Sequence, residues 1–289
     1  MPSAAHPIKI NKQSRIFEEE NKKIFSFPTG FRRGFPLVKS IMPPRSILIT
    51  GCNRGIGLEL VKQYLKEPPS CLIATYRDPT SSEELLQLAK ENPCLKPVQF
   101  DIAKRDTFPD MVKTVTKLVG GAEQGLNLLI NNAGYMAPNR ELDKITPEDM
   151  MISYEVNCVG PLFFARELLP LMKSAVNPDK PKFTVDQAAI IMMSTAVASI
   201  AENSGGSTYP YRCSKSGLNM AMKSLSVDIK ETGILVMAMH PGWVKTRMGG
   251  PNALIDTETC CSTMIQTLNG LTEKDHGSFL RYNNTSIPW

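Results

Sequence analysis

From Ser46 onward, short apolar runs alternate with longer amphipathic stretches along the chain. Runs that are apolar throughout are typical of strands in a sheet that helices cover on both faces. Strands that alternate with helices pair in parallel through right-handed crossovers. The pattern therefore predicts one doubly wound, Rossmann-type α/β domain over residues 46–289, with a parallel sheet of about seven strands. The predicted strands are Ser46–Thr50, Cys71–Tyr76, Val98–Phe100, Leu126–Ile130, Ala188–Met193, Leu235–Met239 and Ser278–Tyr282, and the helices between them end near Glu67, Glu91, Leu118, Ser174, Lys230 and Leu268.

The charge of the chain is concentrated at its N-terminus. Residues 1–45 hold nine basic and three acidic side chains, whereas the remaining 244 residues hold 24 basic and 25 acidic ones. A neutral body excludes a basic surface built to bind nucleic acid. We interpret residues 1–45 as a basic, poorly ordered extension, because they mix prolines and charges without a helical period. The acidic run Glu18–Glu20 argues against the alternative of a mitochondrial transit peptide, and Met42 is a conceivable alternative start.

The cysteine and histidine content bears on metal binding and on the compartment. The seven cysteines form no CxxC pair, and the chain has three histidines. This pattern predicts no metal site and favours a reducing compartment, so we expect a cytoplasmic protein. The sequence contains no run of about 18 apolar residues, so we expect no membrane span.

A glycine-rich loop follows the first predicted strand. In Thr50–Gly57 the glycines are spaced GxxxGxG. Gly51 permits a tight turn, Gly55 lets the backbone approach a pyrophosphate, and Gly57 lets the next helix pack close to the sheet. The N-terminus of that helix would present free N–H groups to the phosphates. The loop therefore predicts a dinucleotide site, and the absence of GxxxxGK[ST] disfavours a Walker-type site.

The end of the second strand bears on which dinucleotide binds. An acidic residue there would hold the adenosine ribose, whereas a basic residue would pair with a 2′-phosphate. Arg77 follows the strand, and Arg54 lies in the glycine loop. Two guanidinium groups that converge on one phosphate favour NADP(H) over NAD(H). Asp78 is the counter-evidence, because a shift of one residue would bring it to the ribose.

A serine, a tyrosine and a lysine at and after the end of the fifth strand suit proton transfer. Ser194 ends that strand, Tyr211 follows 17 residues later, and Lys215 lies four residues beyond Tyr211. Tyr and Lys at this spacing share one helix face, and an ammonium beside a phenol is expected to lower the phenol's pKa. Such a tyrosine can donate or accept a proton near neutral pH, while Ser194 bonds the substrate oxygen. The set suits a carbonyl that gains a hydride on carbon and a proton on oxygen.

These motifs, in this order, resemble those of the short-chain dehydrogenase/reductase family over about residues 46–289. Thr50–Gly57 resembles the family's TGxxxGIG, and Asp101-Ile102 resembles its adenine-binding acidic pair. Asn131–Gly134 resembles its NNAG, and Pro241–Thr246 resembles the PGxVxT that contacts the nicotinamide.

The catalytic residues resemble the family pattern as well. Ser194, Tyr211 and Lys215 match its catalytic trio, and Asn157 falls where the family has a helix asparagine that holds a relay water. The GCNRGIG loop, the YRCSK variant, HPGWVKT and the ending Ile287-Pro288-Trp289 are similar to Sniffer-type, or C-factor-like, NADPH-dependent carbonyl reductases.

The resemblance implies reduction of quinones, dicarbonyls, aldehydes or ketones, small molecules that bind beside NADP(H). It implies that Tyr211 is the general acid, Ser194 orients the oxygen, Lys215 lowers the tyrosine pKa and holds the nicotinamide ribose, and Asn157 fixes the relay water. The predicted catalytic residues are thus Asn157, Ser194, Tyr211 and Lys215, and the predicted cofactor-binding residues are Gly51, Asn53, Arg54, Gly55, Ile56, Gly57, Arg77, Asp101, Ile102, Asn132, Ala133, Gly134, Tyr211, Lys215, Pro241, Gly242, Val244 and Thr246.

Further expectations concern the lid, the assembly and two other functions. Arg247–Asp256 is predicted to form a short lid over an open substrate site. The resemblance also implies a homo-oligomer, with a dimer favoured. One alternative function is an NAD-dependent alcohol or hydroxysteroid dehydrogenase. The other is an NADP-sensing or signalling protein that keeps the fold without needing turnover.

Overall fold

Seven parallel strands form one sheet in the order β3-β2-β1-β4-β5-β6-β7. The structure is a computed structural model, and it describes residues 43–289. This sheet confirms the predicted doubly wound α/β fold, and each predicted strand is present. The strands are β1 Ser46–Ile49, β2 Cys71–Tyr76, β3 Leu95–Gln99, β4 Leu128–Asn131, β5 Ala189–Met193, β6 Leu235–His240 and β7 Phe279–Arg281.

Helices cover both faces of the sheet, which is why its central strands are mostly apolar and buried. Along β1, Ile47 and Ile49 belong to one buried cluster and Leu48 to the other. The first cluster includes side chains of α1, α2 and α7, and the second includes side chains of α3, α5 and α6. The helices are α1 Gly55–Lys66, α2 Glu83–Glu91, α3 Phe108–Leu118, α4 Pro147–Tyr154, α5 Gly160–Lys173, α6 Tyr209–Asp228 and α7 Thr257–Asn269.

The strand β3 is longer than the prediction that began it at Val98. It starts at Leu95 and includes Pro97, which lies opposite Ala74 of β2. A proline cannot donate to the ladder and is tolerated on an edge strand. β3 is the outermost strand on its side of the sheet, so it pairs with a strand on one side only. The missing N–H of Pro97 is therefore tolerated at this position.

The single helix predicted to end near Ser174 is interrupted. A π-helical turn, Glu155–Val159, separates α4 from α5, and the Gly160 N–H donates to the Glu155 carbonyl five residues earlier. Pro161 has no N–H, so the regular α-helical bond to the Asn157 carbonyl cannot form. The proline therefore explains why the helix widens at this position, where Asn157 lies.

Arg45, which directly precedes β1, bonds neighbouring parts of the chain. The extension predicted over residues 1–45 lies outside the described residues, apart from 43–45. The Arg45 guanidinium donates to the carbonyls of Val119, at 3.3 Å, and Gly125, at 3.0 Å. Its own carbonyl accepts a hydrogen bond from the Cys71 N–H. Arg45 thus packs against the end of the sheet opposite the carboxyl ends of the strands.

Two general features of residues 43–289 concern metals and membranes. None of their helices is both long and apolar enough to cross a membrane. Within the same residues, no group of three or more His, Cys, Asp or Glu side chains could hold a metal ion.

Three buried phenylalanines join α3 and α5 to the sheet. The ring centroid of Phe164 lies 4.7 Å from that of Phe100 and 5.2 Å from that of Phe108. Phe164 is fully buried, whereas its neighbour Phe163 is only partly buried and lies beneath the Arg166 guanidinium. The aromatic cluster therefore depends on Phe164.

We expect Phe164→Ala to lower the free energy of unfolding by about 4 kcal/mol, because it removes a fully buried aromatic ring and leaves a cavity. The matched control Phe163→Ala should cost less than about 2 kcal/mol, because this ring already contacts solvent. Urea denaturation of both variants tests the difference. Equal losses would contradict the assigned packing.

Candidate active site

The glycine loop between β1 and α1 can exist only without side chains at its glycines. Gly51 and Gly55 have positive φ angles of 72° and 58°. A Cβ on Gly57 would lie 2.2 Å from the Gly51 carbonyl oxygen. Arg54, which precedes α1, makes no side-chain capping bond, and the first turn contains no acidic residue. The helix N-terminus is therefore open to an anion such as a phosphate.

The loop is held in shape by the neighbouring strands. Thr75 of β2 accepts a hydrogen bond from the Gly51 N–H through its Oγ1, at 3.2 Å. Asn132 donates from Nδ2 to the carbonyls of Thr50, at 2.9 Å, and Gly51, at 3.1 Å. The Ala133 N–H donates to Thr50 Oγ1 over 3.0 Å. The Asn132 side chain thus bonds the loop. Asn132 would support cofactor binding by fixing the shape of the loop.

Three arginines come together beside the glycine loop. Partial burial lowers the pKa of Arg54, and repulsion by Arg247 and Arg77 lowers it further. Positive groups that repel one another in this way favour an anion between them. Arg54 and Arg77 were predicted from the sequence, whereas Arg247, at the start of the lid, was not.

Asp78 has a structural partner. Its Oδ1 accepts hydrogen bonds from the Thr80 N–H, at 3.0 Å, and from Thr80 Oγ1, at 2.8 Å. These bonds lower the pKa of Asp78 and cap the short helical turn Pro79–Ser81. The same turn accepts a bond from Asn53 Nδ2 through Ser81 Oγ. Capping explains Asp78 without a ribose ligand, which weakens the sequence argument for NAD(H).

The residues after β3 lie at the same edge of the sheet. Asp101 accepts a hydrogen bond from the Ala103 N–H through Oδ1, at 3.1 Å, and is half-buried. Ile102 is buried in the core, and its carbonyl oxygen would lie 2.5 Å from a Cβ on Gly160. Asp101 is therefore the more accessible member of the pair.

Asn157 is fully buried in the π-helical turn. Its Oδ1 accepts from the Tyr135 N–H at 2.7 Å, and its Nδ2 donates to the Tyr135 carbonyl at 2.7 Å and to Ser214 Oγ at 2.9 Å. Both amide protons are used, so one lone pair of Oδ1 is left for a water. A Cβ on Gly134 would lie 3.5 Å from Oδ1 and 3.8 Å from Lys215 Nζ, which brings Asn157 and Lys215 to the same space.

Helix α6 presents three polar side chains to the end of β5. Lys215 Nζ donates to the Met193 carbonyl over 2.7 Å. The next residue, Ser194, donates from Oγ to Asn219 Oδ1 over 2.6 Å. The ring centroid of Tyr211 lies 5.9 Å from Lys215 Nζ. The structure thus brings Ser194, Tyr211 and Lys215 together, as predicted, and adds Asn219.

Burial controls the proton affinities of the Tyr–Lys pair. Burial lowers the pKa of Lys215 from 10.5 to about 8. Burial also raises the pKa of Tyr211 to about 12. Desolvation disfavours the phenolate, so the expectation that Lys215 lowers the tyrosine pKa is wrong for the chain alone. Tyr211 therefore keeps its proton at neutral pH.

The segment after β6 crosses over the glycine loop. A Cβ on Gly55 would lie 3.4 Å from Thr246 Cγ2. Gly242 has a φ of 88°, and a Cβ there would lie 2.7 Å from Ile255 Cδ1. Val244 forms a parallel bridge with Ile255, and Pro241 accepts a hydrogen bond from the Cys260 thiol through its carbonyl. Thr246 and Gly55 thus line the same cleft.

The predicted lid, residues 247–256, is a tied loop without a helix. The Trp243 indole N–H donates to the Gly249 carbonyl at 2.7 Å, and the Leu254 N–H donates to the Trp243 carbonyl at 3.0 Å. Behind this loop, His240 is 2% exposed, and burial, followed by repulsion from Arg281, lowers its pKa to about 3. His240 is therefore neutral near neutral pH, which excludes an imidazolium at this position as a general acid.

Besides Arg247, two polar side chains at this edge were not predicted, for different reasons. Asn219 lies four residues after Lys215, so helical spacing alone could have identified it. Arg212 is 8% exposed and donates to the carbonyls of Ser207, at 3.1 Å, and Val197, at 3.0 Å. It joins the loop after Ser194 to the loop before Tyr211, and nothing in the local sequence indicates such long-range partners.

The residues at this edge fit a dinucleotide that carries an extra phosphate. The open N-terminus of α1 and the glycines suit a pyrophosphate, and the three arginines supply positive charge for a further anion. Ser194, at the carboxyl end of β5, and Tyr211 and Lys215, on helix α6, lie together further along the same edge, where a second group of the ligand or a substrate would be reached.

Comparisons with known proteins agree with this arrangement. Residues 45–254 match the family model described as short chain dehydrogenase. The structure is similar to the carbonyl reductase Sniffer of Drosophila melanogaster, with 40% identity, a TM-score of 0.82, and coverage of 85% of this chain and 100% of that chain. It is also similar to the NADPH-bound carbonyl reductase from chicken fatty liver, with 36% identity, a TM-score of 0.80, and coverage of 86% and 100%. The C-signal protein of Myxococcus xanthus is 32% identical over 164 residues, which is 57% of this chain and 93% of that protein.

The lowered pKa of Lys215 predicts a pH-dependent stability. The unfolded lysine keeps its proton to about 10.5, whereas the folded one loses it near 8. Between these values the unfolded state binds more protons, so the free energy of unfolding should rise with pH, by about 2 kcal/mol from pH 8 to about 10. The quantity to measure is the difference between the wild-type chain and Lys215→Met in urea denaturation at several pH values. A difference that does not change with pH would contradict the assigned burial of the ammonium.

Proposed function

The chain belongs to the short-chain dehydrogenase family, and from this premise we propose that it reduces carbonyl compounds to alcohols with NADPH. The observation that supports the proposal most is the convergence of Ser194, Tyr211 and Lys215 at the carboxyl end of β5. Two of the relatives are named as carbonyl reductases, with 40% and 36% identity. Quinones, dicarbonyls, aldehydes and ketones are the substrate classes to test.

NADPH is the proposed cofactor, and when bound it supplies the hydride that the carbonyl carbon receives. The glycine loop and the uncapped start of α1 would hold its pyrophosphate. Arg54, Arg77 and Arg247 would hold the additional phosphate, for which NAD(H) has no counterpart. The chicken relative is described as NADPH bound, which supports the same choice. The NAD-dependent dehydrogenase alternative loses its main sequence argument because Asp78 caps a turn.

Tyr211 is the proposed proton donor. Its pKa of about 12 keeps the phenol protonated, and an alkoxide is a stronger base than a phenolate, so transfer of the proton to the reduced oxygen is favourable. The Lys215 ammonium beside the ring would stabilise the phenolate that remains. Ser194 would bond the same oxygen, and Asn157 would hold the water through which the proton is replaced. Both residues of the Tyr–Lys pair are intact, which argues against a sensing protein without turnover.

The predicted dimer and cytoplasmic location stay predictions. Met151 and Tyr154 on α4, and Met220 on α6, are exposed apolar side chains, and α4 packs directly against α6. A face of this kind favours association with a second copy of the chain. All seven cysteines are free thiols, which favours a reducing compartment.

We expect Tyr211→Phe to lower kcat for carbonyl reduction by at least about 100-fold, because it removes the proton donor. NADPH binding, followed by fluorescence, should be retained. The matched control is Tyr64→Phe on α1, whose buried hydroxyl has no hydrogen-bond partner among the described residues. NADPH oxidation against a panel of quinones, dicarbonyls and aldehydes gives the readout. Near-normal turnover of Tyr211→Phe would overturn the assignment.

We expect Arg77→Glu to weaken NADPH binding by roughly 10- to 100-fold, since it replaces a charge-assisted hydrogen bond with repulsion. NADH binding should not weaken. The matched control is Lys90→Glu, which makes the same change of charge in the last turn of α2. That turn lies away from the sheet edge that carries the site, so the affinities for NADPH and NADH should not change. Equal effects of Arg77→Glu on the two cofactors would contradict a phosphate contact.

A further inference from the structure

Ser194 and Asn219 form a buried pair at the end of β5. The Ser194 hydroxyl donates to Asn219 Oδ1 over 2.6 Å, and the two residues are 3% and 4% exposed. A serine hydroxyl has one proton, so a hydroxyl that donates to Asn219 can only accept hydrogen bonds from other groups. The direction of the Ser194 proton is therefore set by Asn219.

Asn219 continues a series on one face of α6. Tyr211, Lys215 and Asn219 are spaced by four residues, so their side chains lie one turn apart along the same face. Lys215 bonds the Met193 carbonyl, and Asn219 bonds the hydroxyl of the next residue, Ser194. The helix thus fixes both the backbone and the hydroxyl at the end of β5.

We propose that Asn219 is a positioning residue that directs the Ser194 hydroxyl proton during carbonyl reduction, an inference that rests on the proposed function. In the free chain, Oδ1 accepts this proton. When the proton turns to the oxygen of a bound carbonyl, Ser194 Oγ needs a donor in its place, and the Asn219 amide supplies one after a rotation of its carboxamide. A carboxamide carries both a donor and an acceptor, whereas leucine carries neither and an ionised aspartate only accepts.

The test is a double-mutant cycle of Asn219→Leu and Ser194→Ala. If Asn219 acts through Ser194, Asn219→Leu lowers kcat roughly tenfold in the wild-type background, the effect of one lost hydrogen bond. In the Ser194→Ala background it lowers kcat less than about twofold, because the group that it directs is gone. KM for NADPH stays unchanged in all variants, since neither side chain is assigned to cofactor binding.

A second variant and a matched control separate positioning from folding. Asn219→Asp keeps the volume and an acceptor but loses the donor, so its kcat also falls. Asn127 forms the same kind of pair at the opposite edge of the sheet, where its Oδ1 accepts from Ser46 Oγ at 2.9 Å. Asn127→Leu should lower the melting temperature and leave kcat unchanged.

Each outcome decides between the two proposals. If Asn219→Leu lowers kcat by the same factor with and without Ser194, the role of Asn219 is overturned while carbonyl reduction stays in place. A wild-type kcat in both Asn219 variants has the same consequence. A wild-type chain that binds NADPH and reduces no carbonyl of the panel overturns the proposed function, and this inference with it.

Discussion

Parallel hydrogen bonding between the seven strands brings all their carboxyl ends to one edge, and the candidate site depends on that edge. The backbone ladders consume the polar groups of the strand interiors, so that only the residues just past each strand are available for binding. Thr50 and Asn132, just past β1 and β4, bond each other, and Thr75 near the end of β2 accepts from the Gly51 N–H, so that the three side chains hold the glycine loop. Ser194, just past β5, bonds Asn219 of helix α6.

Burial gives this edge its chemical character. Helix α6 buries the Lys215 amine and partly buries the Tyr211 phenol, and desolvation moves their proton affinities in opposite directions, down for Lys215 and up for Tyr211. The amine is held by the Met193 carbonyl rather than by a carboxylate. An uncompensated cation in a dry site interacts strongly with any anion formed beside it, which suits a reaction that passes through an alkoxide and a phenolate.

The fold and the juxtaposition of Ser194, Tyr211 and Lys215 could be predicted because they depend on local patterns. Apolar runs identify buried strands, glycine spacing identifies a close approach of backbone, and a four-residue step identifies a helix face. Other features depend on contacts between distant residues. The sign of the Tyr211 pKa shift reflects burial by several elements, and Arg247 meets Arg54 only because the segment after β6 crosses the glycine loop. The start of β3 at Leu95 required knowing that the strand lies at an edge.

The widened turn at Glu155–Val159 has a consequence for the register of the whole segment that follows. A π-helical turn accommodates about one residue more than an α-helical turn, so it acts as a built-in single-residue insertion. Removing one residue from this turn would rotate everything after it by about 100° about the helix axis relative to α4. Phe164 would then leave the aromatic cluster, and Asn157 would lose the frame that aims it at Tyr135. The number of residues in this turn thus sets the positions of both Asn157 and helix α5.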